Sequence, residues 1–116
     1  MHQNQASFDS LKPRTVDRLR IDFHAFLRFE KNPELAVYIH DFSTSGFRCQ
    51  SSEQLAIGSR VILRIPKLGQ FSATVAWQLG AQAGARFDTP LPLQTMLSIV
   101  LAVVKEQDPA NDITGQ

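Results

Sequence analysis

From Arg20 to Phe29 the chain alternates with a period of two. Ile21, Phe23, Ala25, Leu27 and Phe29 take one parity, and Arg20, Asp22, His24, Phe26 and Arg28 take the other. An alternation of this length suits an extended strand with one face on a core, since a helix would scatter the apolar set around its circumference. The pattern recurs downstream. Lys31-Asn-Pro-Glu34 reads as a turn, and Leu35 to Phe42 as a second strand running into Ser43-Thr-Ser-Gly46, which has tight-turn composition. Phe47 to Ser51 is predicted to return as a hairpin. Ile57-Gly58-Ser59 breaks the chain, and Val61, Leu63 and Ile65 alternate until Pro66 ends that strand. After Leu68-Gly69, the residues Phe71, Ala73, Val75 and Trp77 are expected to share one face, with Trp77 in the core. Gly80-Ala-Gln-Ala83 then closes a hairpin into a strand over Gly84 to Asp88. Six short strands at this spacing suit an antiparallel barrel or sandwich.

One helix follows. Thr89-Pro-Leu-Pro92 is a start signal, since proline is tolerated in a first turn, and Asp108-Pro109 is a stop, which predicts a helix over about 92–107. Its apolar arc is wide. Met96, Leu97, Val100, Leu101 and Val104 form one stripe, which Ile99 and Val103 extend. The stripe suits a plug for an open barrel end. That plug is the favoured reading; the alternative is that the excess, Ile99 and Val103 in particular, makes a homodimer or effector contact. Residues 1–13 read as a flexible polar arm, 14–107 as a single domain and 108–116 as a disordered tail.

Charge narrows the function. Twelve basic against eleven acidic residues leave a net charge of +1, which argues against a general nucleic-acid binder. The basic residues are nevertheless unevenly placed: Lys12, Arg14, Arg18, Arg20 and Arg28 face only Asp17 and Asp22 over the same stretch. A single-strand-binding barrel would also need exposed aromatics on an open face, whereas the phenylalanines here mostly take inward positions. Cys49 is the single cysteine and fits a reducing compartment. Met1 to Ser10 has no signal-peptide character, and Leu91 to Val104 is too short to span a bilayer. The expectation is a cytoplasmic protein.

Two clusters carry the chemistry. Arg14-Thr-Val-Asp-Arg18 sets two guanidiniums four residues apart, donor forks suited to phosphate oxygens and to the N7/O6 edge of guanine. Asp41-Phe-Ser43-Thr-Ser-Gly46 offers the complement: a carboxylate for the N–H donors of a base, a hydroxyl, and a glycine where a Cβ would obstruct. One long strand, a turn and a second strand separate the two clusters, a path that brings the chain back near its start. Together they describe a pocket for an anionic guanine nucleotide.

R-x-x-x-R followed by D-x-S-x-x-G resembles the signature of the PilZ domain, the bacterial receptor module for cyclic di-GMP. Gly58, Val75-Ala-Trp77 and Gly84-Ala-Arg-Phe87 are similar to that family's later strands. The resemblance covers roughly Arg14 to Asp88. It implies a six-stranded antiparallel β-barrel with one C-terminal helix, and cyclic di-GMP held by Arg14, Arg18, Asp41, Ser43 and Gly46. It also implies an N-terminal arm that orders over the ligand, and a signal passed to a protein partner in motility, exopolysaccharide or related output. The resemblance departs beside the first arginine, where Pro13 and Thr15 stand in place of a further arginine. One or two ligands per chain are both compatible with it. The alternative is a nucleotide-independent adaptor of the same fold.

Other signals add nothing to this. His2, His24 and His40 lack metal-ligand spacing with Cys49 or with carboxylates. Ser43 has no G-x-S-x-G context, and no phosphate loop is present. The expectation is a binding protein rather than an enzyme, without cofactor or metal, that neither enters a membrane nor binds a nucleic-acid polymer.

Overall fold

The computed structural model describes residues 18–29 and 33–107. The expected arm (1–13) and tail (108–116), together with Arg14, lie outside the described residues. Six strands and one helix follow in order: β1 Arg18–Arg28, β2 Leu35–Ser43, β3 Gly46–Ser51, β4 Arg60–Ile65, β5 Gly69–Leu79, β6 Gln82–Phe87 and α1 Leu93–Glu106. All strand pairs are antiparallel, and the sheet closes as β1-β2-β3-β6-β5-β4, a barrel. Closure gives every strand two neighbours, with β1 meeting β4 at Phe26–Arg28, and so limits the open edge through which β-chains stick to one another.

The inward parity of each strand builds the core. Ala25, Leu27, Ile39, Phe42, Leu63 and Ala73 are completely buried. Phe42 meets Phe23 and Phe87 edge-on, with ring centroids 5.9 and 5.8 Å apart, and Phe47 and Phe71 also lean on Phe87. Edge-to-face packing of this kind adds about 0.5–1.5 kcal/mol per pair beyond area burial. Cys49 is buried in the same core, and burial pushes its thiol pKa up to about 11.

The register slips at three places; the slip between β1 and β2 at Arg20–Phe23 leaves the alternation of β1 intact, and the other two each turn a side chain outward. In β2 the pairing with β3 shifts between Ile39 and Asp41, and His40 and Asp41 both face away from the core before Phe42 returns inside. In β5 the pairing with β6 shifts between Val75 and Trp77, and Ala76 and Trp77 are both exposed. A bulge places two residues opposite one, so every side chain beyond it changes face. Trp77 is therefore not a core residue, as its parity with Ala73 and Val75 suggests, but 39% exposed.

The helix follows Pro92 directly, without a side-chain cap bond. Met96, Ile99 and Val103 are its buried residues and join the barrel core. This overturns the expectation that Ile99 and Val103 form an outward excess. The uncovered apolar face is Leu93, Leu97, Leu101 and Val104. The 3.6-residue repeat explains the exchange: 96, 99 and 103 fall on one side, and 93, 97, 101 and 104 on another. The helix is tied down at both ends. The Leu91 amide donates to the Thr44 carbonyl (2.8 Å), and Gln107 Nε2 donates to the Asp22 carbonyl (2.6 Å).

Candidate nucleotide-binding site

The register of four strands assembles the site. Asp41 on β2 pairs across to Arg48 on β3, Arg48 to Gly84 on β6, and Gly84 to Trp77 on β5. One lateral row on the outside of the barrel thus reads carboxylate, guanidinium, bare backbone, indole. Arg20 on β1 extends it, paired with Asp41, with its side chain 71% exposed and 4.0 Å from Asp22. Without the two bulges, Asp41 and Trp77 would share the inward parity of Ile39 and Val75. An unpaired carboxylate there would cost several kcal/mol, so the β2 bulge both protects the core and presents the acid.

Asp41 is engaged. Arg48 Nε donates to its Oδ2 at 2.6 Å, and Arg48 Nη1 donates to Gln82 Oε1 at 2.7 Å. Both side chains of the ion pair are about one-quarter exposed. Asp41 is therefore ion-paired with an arginine, and that arginine is Arg48.

Ser43 is buried and shapes the turn. Its Oγ accepts the amides of Gly46 (3.1 Å) and Ser45 (3.2 Å) and shares a further hydrogen bond with Ser45 Oγ. Local bonding of this kind is what favours serine at turns. Gly46 supplies clearance, but toward the protein itself: a Cβ on it would lie 2.2 Å from the Ala85 carbonyl oxygen. Gly84 does the same for the indole, since a Cβ there would lie 2.0 Å from Trp77 Nε1. The turn is also pinned from β6, where the Phe87 amide donates to the Ser45 carbonyl at 2.8 Å.

A cleft of about 360 Å³ runs along this row, bordered by Asp41, Ser45, Arg48, Trp77, Gly84 and Arg86. That volume falls in the roughly 300–1,000 Å³ range of small-ligand sites. The second arginine of R-x-x-x-R meets the cleft's rim through its backbone, for Arg18 is the cross-strand partner of Ser43. Arg18 is therefore a neighbour of the Asp41-to-Gly46 cluster.

Arg48, Trp77, Arg86 and Gly84 were not among the expected site residues. Arg48 and Arg86 each stand between inward-facing neighbours, an alternation that already marks them as outward. Trp77 was masked by a bulge that leaves no mark in its own segment. Among the described residues, no group of three or more histidine, cysteine or acidic side chains could hold a metal ion, and no helix is long and apolar enough to cross a membrane.

No curated protein matches the chain. The PilZ domain family matches residues 12–104, a span that takes in both motifs, all six strands and most of α1. The chain, with its closed six-stranded barrel and single C-terminal helix, belongs to the PilZ domain family.

Proposed function

We propose that this chain is a bacterial, cytoplasmic receptor for cyclic di-GMP that passes the signal to a protein partner. PilZ domains are receptor and adaptor domains rather than enzymes. The observation that carries the nucleotide reading is the pairing of Arg18 with Ser43, which joins the arginine motif to a cleft already furnished with Asp41, Arg48, Arg86 and Trp77.

Each part has a chemical role. Arg18 and Arg14 supply donor forks for phosphate oxygens and the N7/O6 edge of guanine. Arg14 lies four residues before Arg18, at most ~14 Å of extended chain, which keeps it within reach of ligand held beside Arg18. Asp41 accepts from the N1–H and N2–H₂ donors. Ser43 and Gly46 keep the turn in the shape that forms the cleft wall. The Trp77 ring is a stacking surface, and base–aromatic stacking is worth about 1–3 kcal/mol. Binding orders the N-terminal arm (1–13) against the barrel, and the ordering entropy offsets part of the contact energy. On the output side, the uncovered helix face of Leu93, Leu97, Leu101 and Val104 suits contact with another chain, either an effector or a second copy.

Titration of the full chain with cyclic di-GMP, with GTP as control, tests the reading. Trp77 is the single tryptophan, so its fluorescence gives a second readout of the same event. Saturable binding at micromolar or lower concentration, confined to the cyclic dinucleotide and accompanied by a change in Trp77 emission, is expected. The heat also returns the number of ligands per chain. An absence of heat and of emission change at high ligand concentration would overturn the receptor reading and favour the nucleotide-independent adaptor.

A further inference from the structure

We propose that Arg48 is a positioning residue for guanine recognition: it aims Asp41 at the donor edge of the base and selects for the 2-amino group. The inference rests on the cyclic di-GMP reading of the same cleft.

The geometry supports it on three counts. Arg48 is the direct cross-strand partner of Asp41, and its Nε–H meets Oδ2 at 2.6 Å, at the short end for a charge-assisted bond. Among the described residues the hydrogen bonding of Asp41 falls on Oδ2, and on this proposal the donors of the base are taken by Oδ1. Second, Arg48 is fastened twice. Gln82 on β6 takes Nη1 at 2.7 Å, which anchors the guanidinium from the side away from Asp41. A guanidinium held by both neighbouring strands fixes the rotation of the carboxylate rather than following it. Third, a bare carboxylate beside a ligand carrying two phosphates would repel it, and the positive charge of Arg48 offsets this. The consequence is that discrimination between guanine and a base lacking the 2-amino group runs through a residue that need not touch that amino group.

The test compares cyclic di-GMP with its inosine analogue, which lacks both 2-amino groups, on five proteins: wild type, Asp41→Asn, Arg48→Gln, Gln82→Leu and the double variant Asp41→Asn, Arg48→Gln. The readout is the ratio of the two dissociation constants. Wild type is expected to favour the guanine ligand by about tenfold or more, the value of one charge-assisted bond. Asp41→Asn should bring the ratio near one, and Arg48→Gln should bring it most of the way there. The double variant Asp41→Asn, Arg48→Gln should discriminate no worse than Asp41→Asn alone. Gln82→Leu leaves both charged residues in place and should give an intermediate ratio, which covers the case in which Arg48→Gln fails to fold. A wild-type ratio retained in Arg48→Gln, or in Gln82→Leu if only that variant folds, would overturn the inference while leaving the receptor reading intact. So would tighter binding by Arg48→Gln, which would make Arg48 a competitor for Asp41. A wild-type protein that binds neither ligand sinks the receptor reading itself.

Discussion

Replacing Gly46 by alanine separates two reasons for a glycine in the D-x-S-x-x-G turn. A Cβ at Gly46 would sit 2.2 Å from the Ala85 carbonyl oxygen, against 3.4 Å or more for ordinary contact. The obstructing atom is backbone, so no side-chain rotation relieves it. Strands β3 and β6 must part by roughly 1 Å at the rung where Gly46 pairs with Arg86. A bond of about 2.9 Å stretched that far is no longer a hydrogen bond. Losing one or two such bonds costs about 0.5–1.5 kcal/mol each, and overpacking adds about 1–3 kcal/mol. The same shift disturbs the Gly46 amide on Ser43 Oγ and the nearby Phe87 amide on the Ser45 carbonyl. A total of about 2–4 kcal/mol follows, which for a two-state domain of this size is a fall in melting temperature of roughly 8–15 °C. Thermal unfolding followed by circular dichroism measures it, and titration with cyclic di-GMP runs beside it. If glycine were present only to admit the ligand, the variant would melt like wild type and lose binding alone. That result would refute the packing argument.

Four further outcomes are expected. Arg18→Ala should weaken cyclic di-GMP binding at least tenfold in calorimetry, since one lost charge-assisted fork is worth more than about 1.4 kcal/mol; an unchanged dissociation constant would remove Arg18 from the pocket. Gly84→Ala should displace the indole that lies over it, shifting Trp77 emission in the ligand-free protein, and an unaltered spectrum would mean that the ring does not rest there. The Cys49 thiol, raised from its ordinary 9.0 to about 11, is neutral in the folded chain at physiological pH; its stabilising contribution is complete below pH 9 and is lost as pH rises through 11. Alkylation of native protein at pH 8 should accordingly be slow and become fast in denaturant. Leu97→Asp with Leu101→Asp should leave the melting temperature nearly unchanged, because these side chains are 44% and 67% exposed, and should abolish any self-association of wild type in sedimentation. Dimers persisting in that variant would place the contact elsewhere.

Much of the barrel is legible in its alternation. Ile21 to Leu27, Val61 to Ile65 and Phe71 to Val75 have the parity that the core requires, and the punctuation at Gly58, Pro66 and Pro92 marks real boundaries. What periodicity could not carry was any change of phase. Trp77 was assigned inward because nothing in Val75-Ala-Trp77 announces a bulge; the cause lies on β6, where Gly84 leaves room for the indole. The helix failed differently. A set of eight large apolar residues on fourteen positions fits more than one rotation about the axis, and only the barrel decides that Met96, Ile99 and Val103 go in. At the candidate site, Asp41, Ser43 and Gly46 were legible as a cluster, but their division of labour was not. The contacts that define it run to Arg48, Ser45 and Ala85, and Arg48 and Ala85 lie on β3 and β6, away from Asp41 and Ser43 on β2.

The bulges at His40–Asp41 and Ala76–Trp77 give the outer row an unusual kind of dependence. Its acid and its aromatic are presented by arithmetic rather than by affinity: one surplus residue in β2 and one in β5 decide which way they point. Substitutions on this surface can weaken it by degrees, whereas pairing the same residues without the slip would invert it, sending a carboxylate or an indole into the barrel. In this fold the phase of the strand, and not its letters alone, decides what the outside carries. A relative with the same motif letters whose β2 paired without the slip between Ile39 and Asp41 would carry the signature without the surface.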